Sequence, residues 1–78
     1  MNYKYIVVKS TYKIGNTELN SFGIAHIQEC DNIPVIFDCI PDISTDMNVI
    51  EAIVELCNVN QLEPIHLQNI IDDFLSTL

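Results

Sequence analysis

In this 78-residue chain His26, Cys30, Cys39 and His66 are suitable ligands for zinc. The His26-x3-Cys30 spacing suits two ligands from one segment, but a structural zinc site needs four ligands brought close together. If Cys30 lies at a turn and Cys39 six residues along the strand that follows, about 20 Å separates them at roughly 3.3 Å per residue. That separation also excludes a Cys30–Cys39 disulfide, whose Cα atoms must approach within about 7 Å. None of the three cysteines forms a Cys-x-x-Cys pair, so Cys30, Cys39 and Cys57 read as small buried apolar residues of a reducing compartment. Asp42-x-Ser44-x-Asp46 resembles the opening of a calcium loop. Such a loop needs glycine and glutamate where Met47 and Ile53 stand, so these residues read instead as a polar helix cap. His66 and Asp73, on one side of a helix, have the chemistry of a general base and its orienting carboxylate. Nothing places a nucleophile beside them, and with Gly15 and Gly23 as the only glycines there is no phosphate-cradling loop. The expectation is a protein with no catalytic residue, no cofactor and no metal.

The elements that would carry these residues follow from hydrophobic period. Residues 3–13 are β-branched and aromatic and free of proline and glycine, which predicts a strand. Gly15-Asn16 suits a tight hairpin turn, Thr17 to Glu29 a second strand, Asp31-Asn32 another tight turn, and Ile33 to Ile40 a third strand. Pro34 cannot donate to a ladder, which places the third strand at a sheet edge, and Pro41 is expected to end it. The period then changes to three and four at Val49, Ile50, Ile53, Val54 and Cys57, predicting a helix over 46–59 that stops at Asn58 and Asn60. Asp42-Ile43-Ser44 supplies its caps, and Asp46 its early negative charge. Pro64 opens a second helix with the stripe Leu67, Ile70, Ile71, Phe74 and Leu78. The fold class is α+β, one domain over 1–78: a three-stranded antiparallel meander followed by a two-helix hairpin on one sheet face.

Taking both turns as two-residue loops sets Tyr5 opposite His26, Val7 opposite Ile24, His26 opposite Phe37 and Ile24 opposite Cys39. One face then collects Tyr3, Tyr5, Val7, Phe22, Ile24, His26, Val35, Phe37 and Cys39. The other collects Ile6, Val8, Ala25, Ile27, Ile36 and Ile40. Both are apolar, whereas one pair of helices can cover only one. The uncovered face is expected to be an interaction patch. Tyr3, Tyr5, Val7, Phe22, Ile24, His26 and Phe37 are its candidate residues, with His26 half-buried between Tyr5 and Phe37. An alternative use of Tyr5, His26 and Phe37 is a small-ligand or metal site.

Charge restricts the partners. Eleven acids face three lysines and no arginine, a net −8. Binding to DNA or RNA needs cations to displace counterions, and Lys4, Lys9 and Lys13 are the only ones. The same shortage argues against anionic lipid. With no run of 18 apolar residues and no signal-peptide core, the chain reads as cytoplasmic. All three lysines lie within residues 4–13 and every acid from Glu18 onward, so the charge is a dipole. Low charge and high apolar content in so short a chain predict a small acidic protein-interaction module, a homodimer or the binder of a basic protein, using a sheet face or an edge strand.

Phe22-Gly23-Ile24, Asp42-Ile43-Ser44, Cys57-Asn58, Leu62, His66-Leu67 and Asp72-Asp73-Phe74-Leu75, in that order, resemble the pattern of a family of short bacterial proteins of Gram-positive anaerobes. The family carries no assigned activity. The resemblance therefore implies a bacterial cytosolic setting and a stand-alone domain, and transfers no catalytic residue. It also implies structural duties: close backbone approach at Gly23, a cap, a helix stop and a helix start.

Overall fold

The computed structural model describes residues 3–77. Three antiparallel strands, β1 (Lys4–Ile14), β2 (Thr17–Cys30) and β3 (Ile33–Ser44), form one sheet in the order β1-β2-β3. Helix α1 (Met47–Val59), a 3-10 turn (Pro64–His66) and helix α2 (Leu67–Ser76) follow, giving the expected βββαα layout. The two hairpin turns solve the twist problem differently. Gly15 alone takes a left-handed φ of 62°, as at the first position of a type II′ turn. Asp31 and Asn32 both take one, 55° and 64°, as in type I′.

The β1/β2 register is the one expected, with Tyr5 opposite His26 and Val7 opposite Ile24. The β2/β3 register holds only from Cys30↔Ile33 to Ile27↔Ile36. An extra residue on β3 then sets His26 opposite Asp38, not Phe37, and Ile24 opposite Ile40, not Cys39. Because side chains alternate, that one-residue shift exchanges faces: Ile40 joins the helix-covered side and Cys39 the other.

Pro41 does not end β3, which continues to Ser44. Tyr5 turns its main-chain N–H and C=O away from β2, toward Asn58. Its ladder partner His26 therefore aims its own main-chain groups at β3, and alternation carries the same sense to Ile24 and Gln28. Pro34, opposite Glu29, and Pro41, the residue after Ile40, accordingly turn their missing donors to the free edge, where nothing is lost. A second irregularity follows between Phe22 and Ile24, where the β3 backbone passes directly over Gly23. A Cβ on Gly23 would collide with the Ile40 carbonyl oxygen and lie 2.6 Å from the Pro41 Cα, so only glycine allows the crossing.

Asp46 caps α1, its carboxylate accepting from the Asn48 N–H at 3.0 Å, while Ser44 Oγ accepts from the Asp46 N–H. Asp42 and Ile43, expected among the caps, belong to β3. The helix ends in a Schellman motif. Gln61 takes the left-handed φ of 47°, the Leu62 N–H bonds to the Cys57 carbonyl at 3.0 Å, and the Gln61 N–H bonds to that of Asn58. Asn58 is thus helical, and its side chain is free for another task. The core lies between helices and sheet: Tyr5 and Ile24 meet Ile50, Ile53 and Cys57 of α1 and Leu67 and Ile71 of α2. Each large side chain fully buried there contributes about 1.5–3 kcal/mol. The stripe residue Leu78 lies outside the described residues.

Candidate functional site

Among the described residues, three surfaces of the sheet are left without a partner: one face, the β3 edge and part of the β1 edge. The molecule measures 45 × 34 × 17 Å, and its thinnest dimension accommodates one sheet and one helical layer. Tyr3, Tyr5, Val7, Phe22, Ile24 and Ile40 pack with the helices. Alternation therefore sends Ile6, Val8, Ala25, Ile27, Ile36 and Cys39 to the open side. Ala25 and Ile27 lie low in this surface, whereas Ile36 stands out at 58% exposure. The surface runs on into the β1/β2 hairpin. The last β2/β3 pair is Phe22↔Ser44, so from Ser21 to the turn the sheet is a two-stranded ribbon, and residues 11–20 are all exposed. On the ribbon's open side stand Tyr12, Ile14 and Leu19, with Tyr12 reaching over to donate to Asp42 Oδ2 at 2.6 Å.

The edges are treated unequally. On β3, two prolines and two irregularities spoil the row of main-chain donors and acceptors. On β1, the end of α1 supplies a substitute strand. The Asn58 amide accepts from the Tyr5 N–H at 2.8 Å and donates to the Tyr5 C=O at 3.0 Å. The Gln61 amide does the same for Tyr3, at 3.0 and 3.2 Å. The Schellman turn positions both amides, so the left-handed backbone at Gln61 serves the edge as well as the helix end. Beyond Tyr5 this sealing stops.

Tyr3, Tyr5, Val7, Phe22, Ile24 and His26 are brought together as expected, but beneath the helices and not on the open face. Tyr5 is 1% and Ile24 0% exposed. Phe37, displaced by the bulge, is half-exposed beside His26, with ring centroids 6.1 Å apart. His26 itself is buried, at 3%, against Tyr3, Tyr5 and Phe37. Neither ring nitrogen has a hydrogen-bond partner among the described residues, and Asp38 Oδ2 stands 3.8 Å from Nδ1.

The other chemically suggestive residues are not assembled. Cys30 and Cys39 are exposed, Cys57 is buried, and His66 and Asp73 lie on exposed helix surface. No group of three or more metal-ligating side chains forms among the described residues. Burial pushes the Tyr5 phenol up to about 12, helped by Cys57, Tyr3 and Asp38 nearby, and its hydroxyl donates to the Leu62 carbonyl. Burial also raises the Cys57 thiol, whereas the hydrogen bond to Asp42 chiefly raises Tyr12. All three shifts hold the proton on, which suits packing and not nucleophilic chemistry. Sequence reasoning missed Tyr12, Ile14 and Leu19. The available signal was length: strands of 11 and 14 residues outrun a helix of 13 residues with its shorter rise.

No helix among the described residues is long and apolar enough to cross a membrane. The model of a family of unknown function (DUF6514) matches residues 1–77, and the chain belongs to that family. No curated protein and no solved structure matches it.

Proposed function

We propose that this member of a family of unknown function is a small protein-interaction module that binds a protein partner on its open sheet face. The observation that supports the reading is an apolar sheet face turned away from the helices, with Ile36 exposed, Ile6 and Val8 half-buried, and Ala25 and Ile27 forming its floor. A half-exposed antiparallel sheet ordinarily turns polar residues to water on that side. Glu29 and Asp42 border this surface, with Lys4 beside Ile27, so the partner is a protein whose apolar patch carries basic residues facing those two carboxylates. The role is one of binding without catalysis, in the cytosol.

The test is an Ile36→Lys variant, which places a charge on the most exposed of these five side chains, one outside the core cluster. Immobilised parent chain should retain a partner from its own cells that the variant loses, while the two unfold at the same temperature. Retention that is indifferent to Ile36→Lys and to Val8→Lys would overturn the reading.

A further inference from the structure

We propose that the free part of the β1 edge, Ile6 to Ile14, pairs antiparallel with the same stretch of a second copy, centred on Ser10, joining two sheets into one of six strands. This surface and partner are distinct from those of the open face, and the proposal stands or falls separately from it. Tyr3 and Tyr5 direct their main-chain groups outward, and by alternation so do Val7, Lys9, Thr11 and Lys13. These outward groups begin where the Asn58 seal ends and stop at the Gly15 turn.

The register follows from two constraints. An antiparallel ladder must set outward-facing residues opposite one another, which allows only shifts of two. Centring on Lys9 would set Lys9 against its own copy and push Lys13 against Tyr5, whose main chain Asn58 already occupies. Centring on Thr11 would set Lys9 opposite Lys13 twice, and like charges directly opposite are destabilising. Centring on Ser10 sets Lys9 opposite Thr11 and Lys13 opposite Val7. On the open side the same register places Ile6 opposite Ile14 and Val8 opposite Tyr12, which are favourable β-branched and aromatic pairs. The ribbon beyond Ser21, two strands wide and exposed throughout, gains the third strand that such ribbons need for stability. Both helical layers fall on one side of the joined sheet and both open faces on the other, doubling the docking surface.

Sedimentation equilibrium should give twice the 8.9 kDa of the chain. In a Cys30→Ser/Cys39→Ser background, Ser10→Cys should form an intermolecular disulfide with oxidised glutathione. A non-hydrogen-bonded antiparallel pair holds its Cα atoms about 4.5 Å apart, within disulfide reach. Val8→Cys should not cross-link to its own copy, being offset by four residues, about 13 Å. Amide exchange requires no variant: the N–H groups of Val7, Lys9, Thr11 and Lys13 should become protected as concentration rises, while those of Ile6, Val8 and Tyr12 are protected throughout. Thr11→Pro, which deletes one outward donor, should return the protein to 8.9 kDa. A monomer at millimolar concentration overturns the proposal. So does a dimer that survives Thr11→Pro, fails to cross-link through Ser10→Cys and is dissolved by Ile36→Lys. That last result would place the second copy on the open face.

Discussion

Replacing Asn58 with alanine should cost the fold about 2–3 kcal/mol, far more than an ordinary change near a helix end. The amide makes two part-buried bonds to one residue, 2.8 Å from the Tyr5 N–H and 3.0 Å to its C=O. Each bond is worth about 1 kcal/mol net, and part of the cost of stranding Tyr5's main-chain groups adds to that. For a chain this size the loss is about 10–20 °C in Tm, or about 2 M in the urea midpoint. Asn60→Ala is the control, since among the described residues the Asn60 side-chain amide bonds only to the Leu56 carbonyl, in an exposed position. Asn58→Asp sharpens the test. The carboxylate still accepts from the Tyr5 N–H but faces the Tyr5 carbonyl without a proton, so the folded state favours the protonated acid and its pKa lies above the unfolded value of about 3.9. Stability of that variant should be full below about pH 4 and fall as pH rises through the folded pKa. Urea titrations of the three variants at pH 3.5 and 7 decide the matter. Asn58→Ala no worse than Asn60→Ala, or a pH-indifferent Asn58→Asp, would refute the account of the sealed edge.

Three further outcomes follow from the packing. Gly23→Ala should destabilise by about 2–3 kcal/mol in the same urea assay, because its Cβ meets the backbone of Ile40 and Pro41, which cannot rotate aside as a side chain could; a loss under about 0.5 kcal/mol would show that the strands do not cross there. Tyr5, raised to about 12, contributes stability that is intact below about pH 10 and is lost as pH rises through about 12, up to about 3 kcal/mol. Urea midpoints from pH 9 to 12 should fall more steeply for the parent than for Tyr5→Phe. With a thiol reagent, Cys30 and Cys39 should react at once and Cys57 only on opening of the core; three equally fast thiols would contradict its burial.

Much of the architecture was legible because it rests on local chemistry. Turn residues that tolerate left-handed backbone marked both hairpins, a change of period from two to three and four marked the passage from sheet to helix, and two-residue loops fixed the β1/β2 register. The errors cluster on β3. Pro41 was expected to end it because proline normally interrupts a ladder, but on a free edge its missing donor costs nothing. The bulge at Phe37 left no mark in the sequence, and it moved Ile40 and Cys39 to opposite faces. Asn58, read as a helix stop, is an edge seal. Its partner Tyr5 lies 53 residues away, beyond any local pattern.

By itself, then, the sequence determined the elements, their order and the existence of two apolar sheet faces, since each follows from residues close together in the chain. Only the tertiary structure decided which face the helices cover, which edge is closed and which stretch of β1 is left free. Those depend on a bulge, a backbone crossing over Gly23 and two amides reaching across from α1, contacts between segments distant in sequence whose geometry no periodicity encodes.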